Sequence, residues 1–261
     1  MKIKIVFLIF FLSYYTGFSL AQETRLKYIG IEGGMTSIES EISEMDYLRG
    51  SMPSYYMGYS NNSITSLSYK SFTGIKFEIF SLSDRFGLLG GIRFSCMNSS
   101  IGKSNYWTDN TNYFYWLYRQ DGINTEYLTV KEVNQKSDYI GIPIEIRYFT
   151  ARRPRLCRIY FKLGIEINYL LKSKTGIVFN NPAMNFYEKD LIAMVEQPEK
   201  ISSSIYCGGG FKIGRDQKPS VSFEACMPYI FLTSRSSGLL HPLFGGGFQL
   251  NFQIPIKSMA Q

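Results

Sequence analysis

Apolar and polar residues alternate along much of this chain, most cleanly in Phe248-Gln-Leu-Asn-Phe-Gln-Ile-Pro-Ile256. A period of two puts successive side chains on opposite faces of a β-strand. Eight segments carry it, near residues 26–38, 71–82, 86–98, 138–150, 158–171, 201–214, 220–229 and 243–256. They approach the roughly 9–11 residues of a tilted transmembrane strand, whereas soluble strands average about 5–6. The connections alternate in size: residues 83–85, 151–157 and 215–219 are short links, and 39–70, 99–137, 172–200 and 230–240 are longer. Outer-membrane barrels have short periplasmic turns and long outer loops, so a chain entering from the periplasm puts its longer connections at odd positions, as here. Residues 187–195 are expected to form a turn or two of helix.

The two faces differ in chemistry. In the fourth segment Ile140, Ile142, Ile144, Ile146 and Tyr148 oppose Gly141, Pro143, Glu145 and Arg147. In the fifth, Ile159, Phe161, Leu163, Ile165, Ile167 and Tyr169 oppose Tyr160, Lys162, Gly164, Glu166 and Asn168. Across the segments the polar faces collect Glu32, Glu78, Glu145, Glu166 and Glu224, with Lys76, Arg93, Arg147, Lys162 and Lys212. A soluble sandwich or barrel wets such a face, whereas a small membrane barrel turns it into a lumen only wide enough for side chains. Strand length, loop order and the balance of mid-strand charges favour the second reading. The expected fold is therefore all-β: an eight-stranded antiparallel up-and-down transmembrane β-barrel with long extracellular loops. Gly30, Gly34, Gly87, Gly91, Gly164, Gly208 and Gly210 share the polar face and leave room for long side chains. Paired charges in so narrow a lumen imply a plug rather than a porin-sized channel. Glu145 and Arg147 read as a pair, so Glu145→Lys should destabilise the barrel and an added Arg147→Glu should restore part of the loss.

The N-terminus reads as an export signal over residues 1–21, followed by a barrel domain over 22–261. Lys2 and Lys4 form a basic region, residues 5–12 an apolar one, and Ser19-Leu20-Ala21 a small-x-small cleavage site. Cleavage lowers the formal net charge from +7 to +5 by removing those two lysines. The remaining basic residues are scattered, which argues against a nucleic-acid partner. Beyond the signal no apolar run approaches the roughly 18 residues of a spanning helix. The four cysteines, Cys96, Cys157, Cys207 and Cys226, have no metal-ligand spacing and read as small buried hydrophobes, with disulfide pairing open. No cofactor or metal motif is complete: the Gly102-Lys103-Ser104 ending lacks its upstream glycine, and the glycine triplets lead into strands instead of helices.

Candidate functional chemistry therefore falls to the loops. Tyr106, Trp107, Tyr113, Phe114, Tyr115, Trp116 and Tyr118 cluster in the second long connection. They read either as a contact surface for a sugar, lipid or protein or as an interfacial aromatic girdle. His241, the lone histidine, lies near Ser234, Ser236 and Ser237, as a rim acyl-transfer site would require, or is a plain interfacial histidine.

Taken together, the signal, Tyr28-Ile-Gly-Ile-Glu-Gly-Gly-Met35, Tyr139-Ile-Gly-Ile-Pro-Ile-Glu-Ile-Arg-Tyr148, Phe161-Lys-Leu-Gly-Ile-Glu-Ile-Asn-Tyr169 and Gly209-Gly-Phe-Lys-Ile-Gly214 resemble the PorT-like outer-membrane β-barrel family of Bacteroidota. The central strand resembles that family's "YLxIPLxxKY" strand. The resemblance implies an eight-stranded barrel in the cell outer membrane and carries over no catalytic residue. Residues 256–261 depart from the terminal aromatic common in barrels.

The leading expectation is a monomeric, non-enzymatic barrel in contact with outer-membrane lipid, its loops facing envelope or secretion proteins. The alternatives are a component of a secretion or envelope-assembly system, an outer-leaflet lipid-modifying enzyme using His241, and a soluble periplasmic ligand-binding barrel.

Overall fold

Every segment with a two-residue period becomes a strand in the computed structural model, which describes residues 27–42, 47–49, 64–80, 85–103, 113–121, 124–151, 155–215 and 217–256. The expected signal peptide, Tyr106 and Trp107 lie outside the described residues. The strands are β1 (Lys27–Ile42), β2 (Leu48–Arg49), β3 (Ile64–Phe80), β4 (Phe86–Lys103), β5 (Phe114–Asp121), β6 (Asn124–Phe149), β7 (Cys157–Phe179), β8 (Ile201–Ile213), β9 (Ser220–Phe231) and β10 (Leu240–Ile256). Strands β1, β3, β4, β6, β7, β8, β9 and β10 follow one another in an antiparallel ring. Its ends meet where β1 pairs with β10, from Lys27 opposite Ile256 to Ile42 opposite Leu240. Closure removes the unpaired strand edges that lipid does not tolerate. Among the described residues no helix is long and apolar enough to cross a membrane.

The pleat sorts side chains as the parity predicts. Along β10, Phe248 and Leu250 are 62% and 54% exposed, whereas Gln249 and Asn251 are each 2% exposed. The outward stripe of β6 runs from Ile140 to Tyr148 and that of β7 from Ile159 to Tyr169, all exposed. At a rise of about 3.3 Å and a tilt of about 40°, the β7 stripe climbs roughly 25 Å, the height of a transmembrane apolar band. A fold in water would not leave this belt bare while burying glutamates and arginines. The closed ring, apolar outside and polar within, is an outer-membrane β-barrel.

Above the belt the structure departs from the expected strand ends. β6 begins at Asn124 instead of 138 and β7 runs to Phe179 instead of 171. Alternation persists there, as in Val133, Gln135 and Ser137 inward against Glu132, Asn134 and Lys136 outward. The hydrophobic contrast fades because water now wets the outer face. β5 pairs with β6 and carries β2 on its other edge, so part of the second long connection is a strand extension. Between β7 and β8, Asn181 caps a short 3-10 turn (Pro182–Tyr187), its side chain accepting from the Ala183 N–H at 3.0 Å. Helix α1 (Glu188–Met194) follows and buries Leu191.

These pieces close into an apolar crown around Leu48, Ile101, Phe114, Trp116, Leu128 and Val130, with Leu240 at the start of β10 and Leu239 just before it. Of the four cysteines only Cys226 is buried; Cys157 is exposed, Cys96 and Cys207 are half-buried, and all four are free thiols. The buried-hydrophobe expectation holds for Cys226 and fails for Cys96, Cys157 and Cys207, because these three sit on the outward parity of β4, β7 and β8.

Candidate functional site

The inward face builds a lumen in tiers. Its floor, at the end with the short turns, is aromatic: Tyr28, Phe80, Phe149 and Tyr160, each at most 2% exposed. Their ring centroids are 5.9 Å apart between Tyr28 and Phe80, 5.3 Å between Phe80 and Phe149, and 5.0 Å between Phe149 and Tyr160. Two cations lie against these faces. The Arg158 guanidinium is 4.4 Å from the Phe149 ring and the Lys212 ammonium 4.2 Å from the Tyr28 ring. Such contacts gain strength away from water.

Above the floor Glu78 accepts from Lys212 at 2.5 Å and from Arg147 at 3.3 Å. Glu224 collects Arg147, Lys162, Asn251 and, at 2.7 Å, the Tyr160 hydroxyl. In the middle tier Lys76 bridges Glu145 at 2.6 Å and Glu32 at 2.7 Å. Arg93 makes a two-pronged contact with Glu32, both hydrogen bonds at 2.9 Å, and reaches Glu166 with its remaining nitrogen. The highest tier adds Lys70 to Glu166 at 2.6 Å and to Tyr229 at 3.0 Å. Each carboxylate thus faces at least one cation, and Glu32, Glu145, Glu166 and Glu224 also accept from neutral donors, which helps ion pairs to persist in a low-dielectric interior.

The ten charged residues singled out by parity, Glu32, Lys76, Glu78, Arg93, Glu145, Arg147, Lys162, Glu166, Lys212 and Glu224, all lie on this inner face and are buried. Two more buried cations escaped the sequence reading, Lys70 and Arg158. Lys70 lies one residue before the expected start of its segment, and Arg158 opens the fifth segment, ahead of Tyr160, where the parity reading of its polar face begins. Glu145 and Arg147 are not an isolated pair. Their side chains approach only to 3.8 Å, and Arg147 spends its shorter contacts on Glu78 and Glu224.

Small residues set the packing. The Tyr206 ring crosses Gly164 so closely that a Cβ there would lie 2.6 Å from ring carbons, and its hydroxyl donates to Glu145 at 2.7 Å.

At the far end the connection between β9 and β10 is tied to the inner face of β6. The Tyr139 hydroxyl donates to the Ser236 carbonyl at 2.5 Å, and Gln135 accepts from the Gly238 N–H at 2.8 Å and from the Ser237 hydroxyl at 3.1 Å. Gly238 meets Glu196 backbone so closely that a Cβ would be 1.7 Å from the Glu196 carbonyl oxygen. The crown above leaves a cavity of about 30 Å³ beside Leu48, Trp116 and Leu239, room for one water.

The loop candidates divide. Phe114 and Trp116 are buried in the crown, so they are corrected from contact residues to core residues, their inward parity on β5 being the cause. Tyr113, Tyr115 and Tyr118 remain half-exposed on the crown. Tyr113 meets Tyr115 edge-on at 5.6 Å, and Tyr118 contacts Tyr187 at 4.9 Å. The Tyr118 hydroxyl donates to Asp190 at 3.1 Å, which raises its pKa above the ordinary phenol value. His241 places Nδ1 3.1 Å from the Ser234 carbonyl oxygen, a partner that calls for a protonated Nδ1. The hydroxyls of Ser236 and Ser237 bond to the Thr233 carbonyl and to Gln135 instead. A nucleophile–base contact is therefore not assembled among these residues.

No family model matches the chain, and no curated protein matches it in sequence. Solved structures similar to it include the outer-membrane protein OprG of Pseudomonas aeruginosa, at TM-score 0.43 and 8% identity over 88% of this chain and 96% of that one. Ail, the attachment invasion locus protein of Yersinia pestis, gives 0.39 and 9% over 90% and 100%. Outer membrane protein W of E. coli gives 0.30 and 12% over 87% and 99%. Likeness at this level assigns no task.

Proposed function

We propose that the protein is a non-enzymatic integral barrel of the outer membrane, its lumen closed to ions, whose folded crown faces the exterior and presents a binding surface to envelope or secretion components. The observation that carries the closed lumen is the continuous stack of aromatic floor, charge network and tied-down crown. The crown's half-exposed tyrosines, Tyr113, Tyr115 and Tyr118, supply the contact surface in this reading. The short turns would face the periplasm. The strand motif at residues 139–148 supports kinship with PorT-like barrels as part of the same proposal.

Planar-bilayer recording tests the closure. The purified barrel should insert without nanosiemens-scale steps, and a stable open level of that size would contradict a paired lumen.

A further inference from the structure

We infer that the crown-side rim of β6 and β7 is a binding site for a phosphate-bearing lipid of the outer leaflet. The inference rests on the membrane orientation proposed above. It begins with a break in strand parity. Through Tyr169 the odd-numbered residues of β7 face outward, and continued alternation would send Lys172 and Lys174 into the lumen. A bulge intervenes: Tyr139 pairs with Leu170 and Asp138 with Lys172, leaving Leu171 as the extra residue. A bulge re-aims the side chains that follow it. Lys172 and Lys174 are consequently exposed, and Ser173 turns inward to meet Ser137 at 3.1 Å.

The bulge sets Lys174 directly opposite Lys136, which is also outward and exposed. Directly opposed like charges destabilise a strand pair unless a counter-charge joins them. Asp138 faces Lys172 and offsets one of these cations. Lys200, exposed, adds another from the neighbouring strand end, its carbonyl accepting from the Leu170 N–H at 2.8 Å. Below this group lies the apolar belt, with Leu171 and Ile201 at 54% and 61% exposure. Cations directly above an acyl-chain surface fit one amphiphile: phosphate at the level of Lys136 and Lys174, chains along Leu171 and the stripe beneath. Soluble phosphate would use only the upper half of that surface.

The test uses full-length mature protein in mild detergent. Native mass spectrometry and lipid-dependent thermal shifts compare diphosphoryl lipid A, its dephosphorylated form and inorganic phosphate. The diphosphoryl lipid should bind and stabilise, and neither comparison compound should match it. The double variant Lys136→Gln/Lys174→Gln should weaken diphosphoryl binding about 25-fold, a factor of about five per lysine. Lys136→Arg/Lys174→Arg should retain it. In lipid-free detergent the glutamine variant should be at least as stable as the parent, because the like-charge contact is gone. That readout, with a boiling-dependent gel shift, separates loss of the site from loss of the barrel. Equal binding of phosphorylated and dephosphorylated lipid, or unchanged binding by a folded glutamine variant, would overturn the assignment. So would inorganic phosphate binding as tightly as the lipid.

Discussion

Glu145→Lys should abolish assembly of the barrel, and Glu145→Gln should cost about 3–5 kcal/mol, the usual penalty for removing one partner of a buried ion pair. Glu145 is fully buried among Lys76, Arg93, Arg147 and Lys162, the nearest contact being Lys76 at 2.6 Å. Reversal removes the carboxylate that four cations share and adds a fifth cation, a loss comparable with the total stability of about 5–15 kcal/mol of a typical domain. Adding Arg147→Glu should not rescue it. A glutamate at that position would face Glu78 and Glu224, the carboxylates that Arg147 now joins. Urea titration after refolding into vesicles, read by the boiling-dependent gel shift, gives both numbers. Partial recovery in the double variant would show that the two residues act as the isolated pair their spacing suggests.

Ile142→Arg should destabilise the barrel by about 2–4 kcal/mol in bilayers, the cost of a cation at mid-depth on a lipid face. Ile142 is 58% exposed and lies on the outward stripe of β6. The same change on a water-facing surface would stay within roughly 0.5 kcal/mol. Asn134→Arg, on the same face of β6 but above the stripe, should cost no more than about 1 kcal/mol. Equal, small effects at the two positions in the same titration would place the stripe in water.

Parity made the membrane-spanning half of the fold readable, because lipid and lumen impose opposite chemistries on adjacent residues. Ile140 to Tyr148 shows this without a break, and so do Phe248 to Ile254. Where the strands leave lipid, that contrast disappears. Lys136 and Asn134 look like loop residues in sequence although they continue β6. Lys70 was missed for a related reason: Ser68 and Lys70 face inward on β3 and Leu67 outward, but Ser71 and Thr73 interrupt the outward apolar stripe before it resumes at Ile75. The bulge at Leu171 has no signature in Leu170-Leu171-Lys172, since either parity leaves one leucine inward. The network's wiring was hidden as well. Lys70 joins Glu166 and Lys212 joins Glu78 across the lumen, contacts set by barrel closure and register instead of by spacing along a strand.

Fluorescence quenching from within the bilayer tests the inside-out arrangement most directly. In a Trp107→Phe/Trp116→Phe background, Phe252→Trp places one fluorophore on the outward face of β10 and Tyr118→Trp places one in the crown. In vesicles of phosphatidylcholine brominated along its acyl chains, the first should be strongly quenched relative to unbrominated vesicles and the second should not. An unquenched Phe252→Trp protein that stays in the aqueous fraction and shows no boiling-dependent mobility shift would contradict the membrane barrel.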